Sequence, residues 1–378
     1  MPPTPSPPSA AWLPTGDAAF GSMLEAVSAA RRRLRLEVYI CDDSALSRRF
    51  RTALIEARER GVEVSLLLDA FGSFELDPAF WAPLARAGGI VRWFNPISLS
   101  RLAARNHRKL LVCDDEVAFV GGYNLTRDYE GDGVTRGFHD FGLRLTGPIV
   151  AALASSYDFI AERADAPHRL LDRLRAPGFP SVLAGTGWKL LLNLPSLQRR
   201  GINQTLLADL KAPGSVDIIS AYFLPNRKVR RALVHLARSG VRVRLLLTGR
   251  SDVPVARYAG HVLYDYFLRA GVEIYEYQPQ VLHAKLVVLG NAVYAGSCNL
   301  DLRSLHFNYE LMVRLEDPAI RAEAARLFER DLTRSTRIEL ARWRRDRTVW
   351  MSLREQFAYF VVARLDPWVV RWQRRLLR

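Results

Sequence analysis

The feature that most constrains the fold of this chain is a short stretch that occurs twice. His107 and Lys109 stand two residues apart in a run rich in valine and leucine, and His283 and Lys285 repeat this arrangement in the second half. Because side chains alternate between the two faces of a strand, the His and the Lys of each copy point the same way. Each copy is predicted to present one imidazole and one ammonium group on a single face of a sheet.

A glycine-containing turn and an asparagine follow each copy. The first copy continues through Gly121-Gly122 to Asn124, and the second continues through Gly296 to Asn299. If the two halves come together, two imidazoles, two ammonium groups and two amides converge at one place. This set of groups suits a tetrahedral, negatively charged phosphate better than a neutral substrate. The sequence therefore predicts a phosphate-directed site shared by the two halves.

The repeat extends over whole domains. Strand-like segments at 34–40 and 62–69 flank a helical segment in the first half, and segments at 216–224 and 241–247 do the same in the second. Alternating strands and helices predict a mixed, mostly parallel sheet flanked by helices in each half. We expect an α/β protein of two pseudo-symmetric domains.

Composition sets the expected domain boundaries. The N-terminus is rich in proline, and the region between the two halves mixes charges, prolines and glycines without a sheet pattern. The predicted organisation is a disordered N-terminus over 1–15, a first domain over 16–165, a linker over 166–187, a second domain over 188–336 and a basic C-terminal tail over 337–378.

The charge balance points to polyanionic partners. Lys and Arg number 54 against 39 Asp and Glu, which gives a net charge of +15 and favours either nucleic acid or an anionic membrane surface. The three cysteines lie in or beside apolar runs, which indicates buried free thiols and a reducing compartment. No stretch approaches the roughly 20 apolar residues that a membrane-spanning helix needs.

The C-terminal tail differs in kind from the rest of the chain. Residues 341–378 interleave arginine with Trp343, Trp350, Trp368 and Trp372. One interpretation is an amphipathic segment that binds a membrane interface. The other is a helical pair packed on the second domain, with its arginines in solvent.

The doubled pattern of HxK, glycine-rich turn and asparagine resembles the phospholipase D superfamily over nearly all of residues 17–335. Within that superfamily, the surroundings are similar to those in bacterial cardiolipin synthases of the B type. The likeness is carried by Tyr39-Ile-Cys-Asp-Asp43, Ala221-Tyr-Phe-Leu-Pro225, Asn299-Leu-Asp-Leu-Arg-Ser304 and Asn308-Tyr-Glu310. The resemblance implies two phospholipase D-like domains with the active site at their interface.

The resemblance also implies a mechanism that needs no metal and no other cofactor. One histidine attacks phosphorus to form a phosphohistidine, and the other protonates the leaving alkoxide and then deprotonates the incoming nucleophile. Four further side chains would hold the non-bridging oxygens of the phosphate: Lys109, Lys285, Asn124 and Asn299.

Each catalytic imidazole needs an acceptor on its second nitrogen to fix its orientation. The nearest candidates downstream are Asp140 for His107 and Glu310 for His283. The sequence therefore predicts that each histidine is oriented by a carboxylate of its own half. Three other histidines are expected to be surface or partnered core residues: His168, His235 and His261.

The second copy departs from the superfamily motif at one position. The motif places an aspartate seven residues after the histidine, which is Asp114 in the first copy but Gly290 in the second. Asp114 is counted among the candidate catalytic residues because the motif includes it. At about 3.3 Å per residue, however, it lies roughly 16 Å beyond Lys109 along the strand. We therefore predict that Asp114 is a turn or scaffold residue, and that Gly290-Asn291 forms a tight turn.

Three functions are compatible with these features. The first is a phosphatidyl transferase that makes cardiolipin or a related phospholipid from phosphatidylglycerol and a second phospholipid. The second is a hydrolase that cleaves phosphodiesters of phospholipid or nucleic acid, and the third is a non-catalytic basic binding protein. For the first, the expected partners are an anionic phospholipid substrate and a membrane surface, without nucleic acid. The expected location is peripheral, on the cytoplasmic side of the bacterial inner membrane. The sequence leaves the oligomeric state open.

Overall fold

The computed structural model describes residues 9–95, 105–165, 178–195, 199–211 and 214–365. Over these residues the chain forms two halves, each built on a β-sheet with helices packed against it. The predicted α/β class, with two sheets flanked by helices, is confirmed. Parts of the predicted N-terminus, linker and tail fall outside the described residues, namely 1–8, 166–177 and 366–378.

In the described part of the first half, the sheet has seven strands: β1 (Ala10–Leu13), β2 (Arg33–Val38), β3 (Glu63–Asp69), β4 (Ile90–Phe94), β5 (Leu110–Cys113), β6 (Val117–Gly121) and β7 (Gly142–Thr146). Their order across the sheet is β1-β7-β6-β5-β2-β3-β4. β2, β3 and β4 are parallel neighbours because helical segments connect them, whereas the other neighbours are antiparallel. The sheet is mixed, but the prediction that it is mostly parallel is wrong.

The helices of the first half are α1 (Gly16–Ala29), α2 (Ala45–Glu59), α3 (Ala82–Arg86) and α4 (Ile149–Asp165), with 3-10 turns at Pro78–Trp81 and Arg127–Tyr129. Ser44 and Ser47 cap the start of α2 reciprocally. Gly61, with a φ of 90°, turns the chain from the end of α2 towards β3. The apolar faces of α1 and α2 meet around Phe20 and Phe50.

The strands of the second half are β8 (Val182–Gly185), β9 (Trp188–Leu194), β10 (Arg199–Arg200), β11 (Val216–Ser220), β12 (Phe223–Leu224), β13 (Val243–Thr248), β14 (Glu273–Tyr277), β15 (Lys285–Leu289), β16 (Ala292–Gly296), β17 (Leu300–Asp301), β18 (Glu310–Leu315) and β19 (Ser335–Ile338). The main sheet runs β10-β9-β18-β16-β15-β11-β13-β14-β19, with β8 beside β9. β12 and β17 form a separate parallel pair. Here too, only the β11-β13-β14 part of the described sheet is parallel.

The helices of the second half are α5 (Gly201–Asp209), α6 (Arg227–Arg238), α7 (Pro254–His261), α8 (Tyr264–Leu268), α9 (Leu302–His306), α10 (Pro318–Leu332), α11 (Leu340–Arg345) and α12 (Val349–Phe360), followed by a π-helical turn at Val361–Leu365. α12 packs along α7, and Ala358 is buried in that contact. The tail helices therefore belong to the body of the second half.

Three predicted boundaries require correction. Residues 10–13, expected to be disordered, form β1 and pair with β7. Residues 182–185, expected to be linker, form β8 and pair with β9. β19 carries the second sheet past residue 336 to pair with β14. All three are four-residue edge strands, which are too short to give a clear alternating pattern beside proline, glycine or arginine.

The largest of three hydrophobic clusters in the described chain spans both halves. Leu110 and Leu143 of the first sheet lie in the same buried cluster as Leu286 and Leu311 of the second. Trp12 Nε1, in β1, donates a hydrogen bond to the carbonyl of Ile320 in α10 at 3.1 Å. The continuous core holds the two sheets in a fixed relation, which a site shared between them requires.

Candidate active site

Backbone hydrogen bonds join the two HxK segments to the opposite halves. The amide of His107 donates to the carbonyl of Tyr309 at 3.0 Å, and the amide of His283 donates to the carbonyl of His139 at 2.7 Å. Tyr309 and His139 directly precede Glu310 and Asp140. Each histidine therefore enters the site beside the carboxylate-bearing segment of the other half.

The carboxylates are exchanged between the halves. Nδ1 of His107 lies 3.1 Å from Glu310, and Nδ1 of His283 lies 2.7 Å from Asp140. The sequence prediction named both carboxylates but assigned each to the histidine of its own half, and that assignment is wrong. The physical reason is the pair of backbone bridges between the halves, which the spacing of residues along one chain does not show.

The lysines of both copies are buried beside the histidines, as the period of two predicts. Nζ of Lys109 donates to the carbonyl of His107 at 2.7 Å, and Nζ of Lys285 lies 3.0 Å from Nε2 of His283. Less than a tenth of either lysine is exposed. The charges of Lys109, Lys285 and His283 all act on His107, so the two copies share one site.

The two asparagines have different surroundings. Oδ1 of Asn124 accepts from the amide of Ile40 at 3.2 Å, and its Nδ2 donates to the hydroxyl of Tyr129 at 2.9 Å. Asn299 is 2% exposed, and its Oδ1 has no partner among the described residues. The amide of Asn124 is thus engaged with the protein, whereas that of Asn299 is not engaged in the same way.

Tyr129 is a site residue that the sequence interpretation missed. Its hydroxyl lies 3.2 Å from Nε2 of His283, and its ring meets the imidazole edge to face with centroids 5.1 Å apart. His107 also has a tyrosine neighbour, because the ring of Tyr39 packs edge to face against its imidazole with centroids 4.8 Å apart. The available signal for Tyr129 was its place five residues after Asn124, in the segment that follows the glycine turn.

His139 was also missed, and it acts behind the site. It is 1% exposed, its Nε2 lies 2.6 Å from Oδ2 of Asp331, and its ring stacks on Tyr277 with centroids 4.7 Å apart. These contacts fix the segment that carries Asp140. Ser297 contributes similarly in the second half, because its hydroxyl donates to Glu310.

The three histidines that the sequence analysis set aside lie elsewhere or outside the described residues. His235 is exposed. His261 is buried with Glu276 at one ring nitrogen and Glu355 at the other, as expected of a partnered core residue. His168 lies outside the described residues. Within the described chain, no group of three or more His, Cys, Asp or Glu side chains is arranged to hold a metal ion.

Burial and mutual repulsion shift the pKa values of the site. Burial, followed by the charges of Lys109 and Lys285, holds the pKa of His107 well below its usual value of 6.5. Burial also lowers the pKa of His283, with Lys285 as the next cause. Burial lowers the pKa of Lys109 to about 7 and that of Lys285 to about 8, and it raises the pKa of Glu310 to about 8. The lysines therefore titrate near neutral pH, and an anionic phosphodiester would favour their charged forms.

These shifts predict a fall in kcat/KM at mildly alkaline pH. A lysine whose pKa is lowered loses its proton at a lower pH, so the free enzyme loses positive charge as the pH rises through about 7 to about 8. We expect kcat/KM to fall in two steps over that range. Lys285→Arg should remove the upper step near pH 8, because arginine stays charged, and leave the lower step of Lys109 in place. A profile that stays level up to the ordinary lysine pKa of 10.5 would contradict the assignment.

Asp114 lies in the β5–β6 turn, and the sequence predicted that it is a turn or scaffold residue. Its carboxylate accepts from the backbone amides of Arg31, Arg32 and Arg33 at 2.7 to 2.8 Å. It thus fixes the entry to β2. In the second copy, Gly290, with a φ of 53°, and the following residue close the β15–β16 hairpin, so this turn forms without an aspartate.

Asp114→Asn is expected to cost stability and leave catalysis intact. The amide oxygen of asparagine accepts more weakly than a carboxylate, so the free energy of unfolding should fall by about 1–2 kcal/mol. Turnover per folded molecule should not change, and Gly290→Asp should not raise it. Denaturant unfolding and active-site titration measure the two quantities. A several-fold gain in turnover for Gly290→Asp would show that the aspartate has a catalytic role.

A family model described as "Cardiolipin synthase, PLD-like domain" matches residues 23–132 and 206–332. The first range contains His107 and Lys109, and the second contains His283 and Lys285. The two matched ranges thus coincide with the two halves that supply the site.

Relatives with established names agree with this match. Cardiolipin synthase B of Salmonella typhimurium is 31% identical over 318 residues, which cover 81% of this chain and 76% of the relative. Cardiolipin synthase A of Pseudomonas aeruginosa is 34% identical over 331 residues, which cover 85% of this chain and 66% of the relative.

Two solved structures share the fold. Phosphatidylserine synthase of Haemophilus influenzae is similar with a TM-score of 0.74 at 13% identity, over 95% of this chain and 94% of its own. Polyphosphate kinase of Porphyromonas gingivalis gives a TM-score of 0.58 at 16% identity, over 88% of this chain and 49% of its own. Since the family model covers more than half of the chain, and relatives over 30% identical span about four fifths of it, the chain is an enzyme of the phospholipase D superfamily and belongs to the cardiolipin synthase, PLD-like family.

Proposed function

We propose that the protein is a phosphatidyltransferase that makes cardiolipin, or a related phospholipid, from phosphatidylglycerol and a second phospholipid. The exchange of carboxylates carries the proposal, because it holds two oriented imidazoles beside two buried ammonium groups at one interface. Such a site suits in-line displacement at a phosphodiester. The names of the relatives, cardiolipin synthase A and B, support phospholipids as the substrates.

The two catalytic histidines differ in the hydrogen bonding of Nε2, and this difference supports a separate role for each. Nε2 of His283 already has the hydroxyl of Tyr129 at 3.2 Å, whereas Nε2 of His107 has no hydrogen-bond partner among the described residues. A nitrogen with a free lone pair is the better nucleophile, and a nitrogen within a hydrogen-bond chain is the better proton carrier. His107 is therefore the nucleophile of the proposed reaction, and His283 is the acid and base.

In the first step, Nε2 of His107 attacks the phosphorus of phosphatidylglycerol. The bond from phosphorus to the headgroup oxygen breaks, and protonated His283 gives its proton to the departing glycerol. In the second step, neutral His283 takes the proton of the incoming hydroxyl. That oxygen attacks phosphorus, the phosphorus–nitrogen bond breaks, and the new phospholipid leaves with both histidines restored.

The surrounding groups favour the charge changes of both steps. The positive charge that develops on the attacking ring of His107 favours the ionised form of Glu310 behind it, and that carboxylate in turn stabilises the ring. Asp140 stabilises the protonated ring of His283 in the same position. Lys109 and Lys285 neutralise the extra charge on the non-bridging oxygens of the pentacoordinate phosphorus. The side-chain amide of Asn299 is proposed to contact those oxygens as well.

The test is incubation of purified protein with vesicles of labelled phosphatidylglycerol, with and without phosphatidylethanolamine, followed by lipid chromatography. Cardiolipin with release of glycerol or ethanolamine is expected. Phosphatidic acid as the sole product would make the enzyme a hydrolase. Cleavage of a DNA phosphodiester without turnover of any lipid would remove the lipid proposal.

The same proposal places the enzyme peripherally, on the cytoplasmic side of the bacterial inner membrane. No helix in the described ranges is long and apolar enough to cross a membrane. Membrane contact is supported by the exposed apolar side chains of α12, and a reducing compartment by Cys41, Cys113 and Cys298, which are buried free thiols.

A further inference from the structure

The tail helix α12 presents an apolar stripe to solvent. Trp350, Leu353, Phe357 and Phe360 are 81%, 55%, 69% and 54% exposed. Their spacing of three, four and three residues places them on one face of the helix. Such a stripe of large side chains is unusual on a protein surface unless it meets a partner.

The opposite face of α12 is fixed to the protein. Glu355 is fully buried, where it lies 3.1 Å from Nδ1 of His261 and pairs with Arg347. Ala358 is buried in the core of the second half. The apolar stripe is therefore held in one orientation by an anchored helix.

An arginine-lined groove of about 430 Å³ lies beside this helix. Its lining includes Arg227, Arg230 and Arg231 of α6 together with Tyr266 and Tyr359. Tyr359 belongs to α12, so the groove adjoins the tail helix. The three guanidinium groups form no ion pair with a carboxylate of the described chain, and the first turn of α6 contains no acidic residue.

We propose that the groove and the exposed stripe of α12 form one docking surface for an anionic phospholipid bilayer. Guanidinium groups bind the phosphodiester headgroups at the groove, and the Trp, Leu and Phe side chains enter the apolar layer beneath them. Charge complementarity favours a bilayer over a second copy of the chain. A symmetric dimer at this face would bring together two arginine clusters of a protein with a net charge of +15.

A strand pair and a short connection link the docking surface to the active site. β17 directly follows Asn299 and pairs with β12, and residues 225 and 226 separate β12 from Arg227. Three Cα–Cα steps of 3.8 Å place the Cα atom of Arg227 within about 11 Å of the end of β12. The docking proposal rests on the proposed function in one respect. If the substrate is a phospholipid, docking holds the active site at the bilayer that contains this substrate.

The first test compares two charge-matched variants by vesicle flotation. Arg227→Gln with Arg231→Gln removes two charges at the groove, and Arg86→Gln with Arg144→Gln removes two exposed charges of the first half. The vesicles contain phosphatidylcholine and phosphatidylglycerol in a two-to-one ratio, or phosphatidylcholine alone. We expect the groove variant to lose about 30-fold in partitioning to the mixed vesicles, the equivalent of about 2 kcal/mol for two charges. The matched variant should keep its binding.

The second test changes the apolar stripe without removing its anchor. Trp350→Ser with Phe357→Ser should lower partitioning by at least about tenfold. Ile90→Ser with Val182→Ser replaces two exposed apolar residues elsewhere and should not lower it. Deletion of the tail is unsuitable because it would remove Glu355 and Ala358 from the core. The melting temperatures of all variants should stay close to that of the wild type.

Flotation measures binding without turnover, so the outcome stands whether or not the enzyme makes cardiolipin. Equal losses in the two arginine variants would overturn the proposal by showing diffuse electrostatic attraction. Unchanged binding in the groove and stripe variants would overturn it as well. Light scattering provides a third outcome that would overturn the proposal. If the wild type is a dimer and Trp350→Ser with Phe357→Ser converts it to a monomer, the surface binds a second copy of the chain.

Discussion

His107→Asn and His283→Asn are each expected to abolish turnover, by at least about 1,000-fold, while leaving the fold intact. The two imidazoles act in one reaction, so the double variant should be no worse than either single variant. Because His107 is the proposed nucleophile, enzyme denatured at alkaline pH, where the phosphorus–nitrogen bond persists, should carry the phosphorus label on His107 alone. Peptide mapping after incubation with labelled phosphatidylglycerol measures this directly.

The control is His235→Asn, which makes the same substitution at an exposed histidine outside the site. It should keep full turnover. Residual turnover above a few per cent in either active-site variant would count against the two-histidine reaction. Labelled phosphate recovered from His283 in the wild type would reverse the assigned roles.

Glu310→Gln and Asp140→Asn are each expected to lower kcat by about 10²- to 10⁴-fold, because each replaces the ionisable side chain that orients one catalytic imidazole and stabilises its charged form. The exchange of carboxylates between the halves predicts which imidazole ring is affected by each substitution. In protein labelled with ¹⁵N-histidine, Glu310→Gln should move the Nδ1 resonance of His107, and Asp140→Asn should move that of His283. If the substitutions acted only by disturbing the packing, each would not selectively move the resonance of the histidine in the opposite half.

Glu276→Gln is the matched control, since it removes a carboxylate beside a buried histidine, His261, away from the catalytic pairs. It should leave turnover largely unchanged. If Glu310→Gln instead moves the resonance of His283 and leaves that of His107 in place, the exchanged pairing is wrong in solution.

The parts of the site that depend on local periodicity were predictable from the sequence. The alternation of side chains along a strand was enough to place Lys109 beside His107 and Lys285 beside His283. The scaffold position of Asp114 followed from its distance along the strand, and its hydrogen bonds to the 31–33 backbone agree with it.

The parts that depend on contacts between the halves were not predictable. The exchange of Asp140 and Glu310 arises from backbone hydrogen bonds such as that of His107 to Tyr309, which join residues about 200 positions apart. No periodicity in one chain reports such a contact. Likewise, Tyr129 lies in a 3-10 turn without a regular pattern, and its position at His283 depends on how the two sheets pack.

Joining two repeats in one polypeptide has a consequence for how the halves can diverge. A homodimer of identical repeats carries every substitution twice, so both histidines must keep the same neighbours. In this chain, Tyr129 contacts the catalytic histidine of the second half, His283, whereas Asp114 braces the first hairpin and Gly290 closes the second. Fusion therefore frees each half to specialise, and only the reciprocal contacts at the interface must be conserved for the pair to remain one reaction centre.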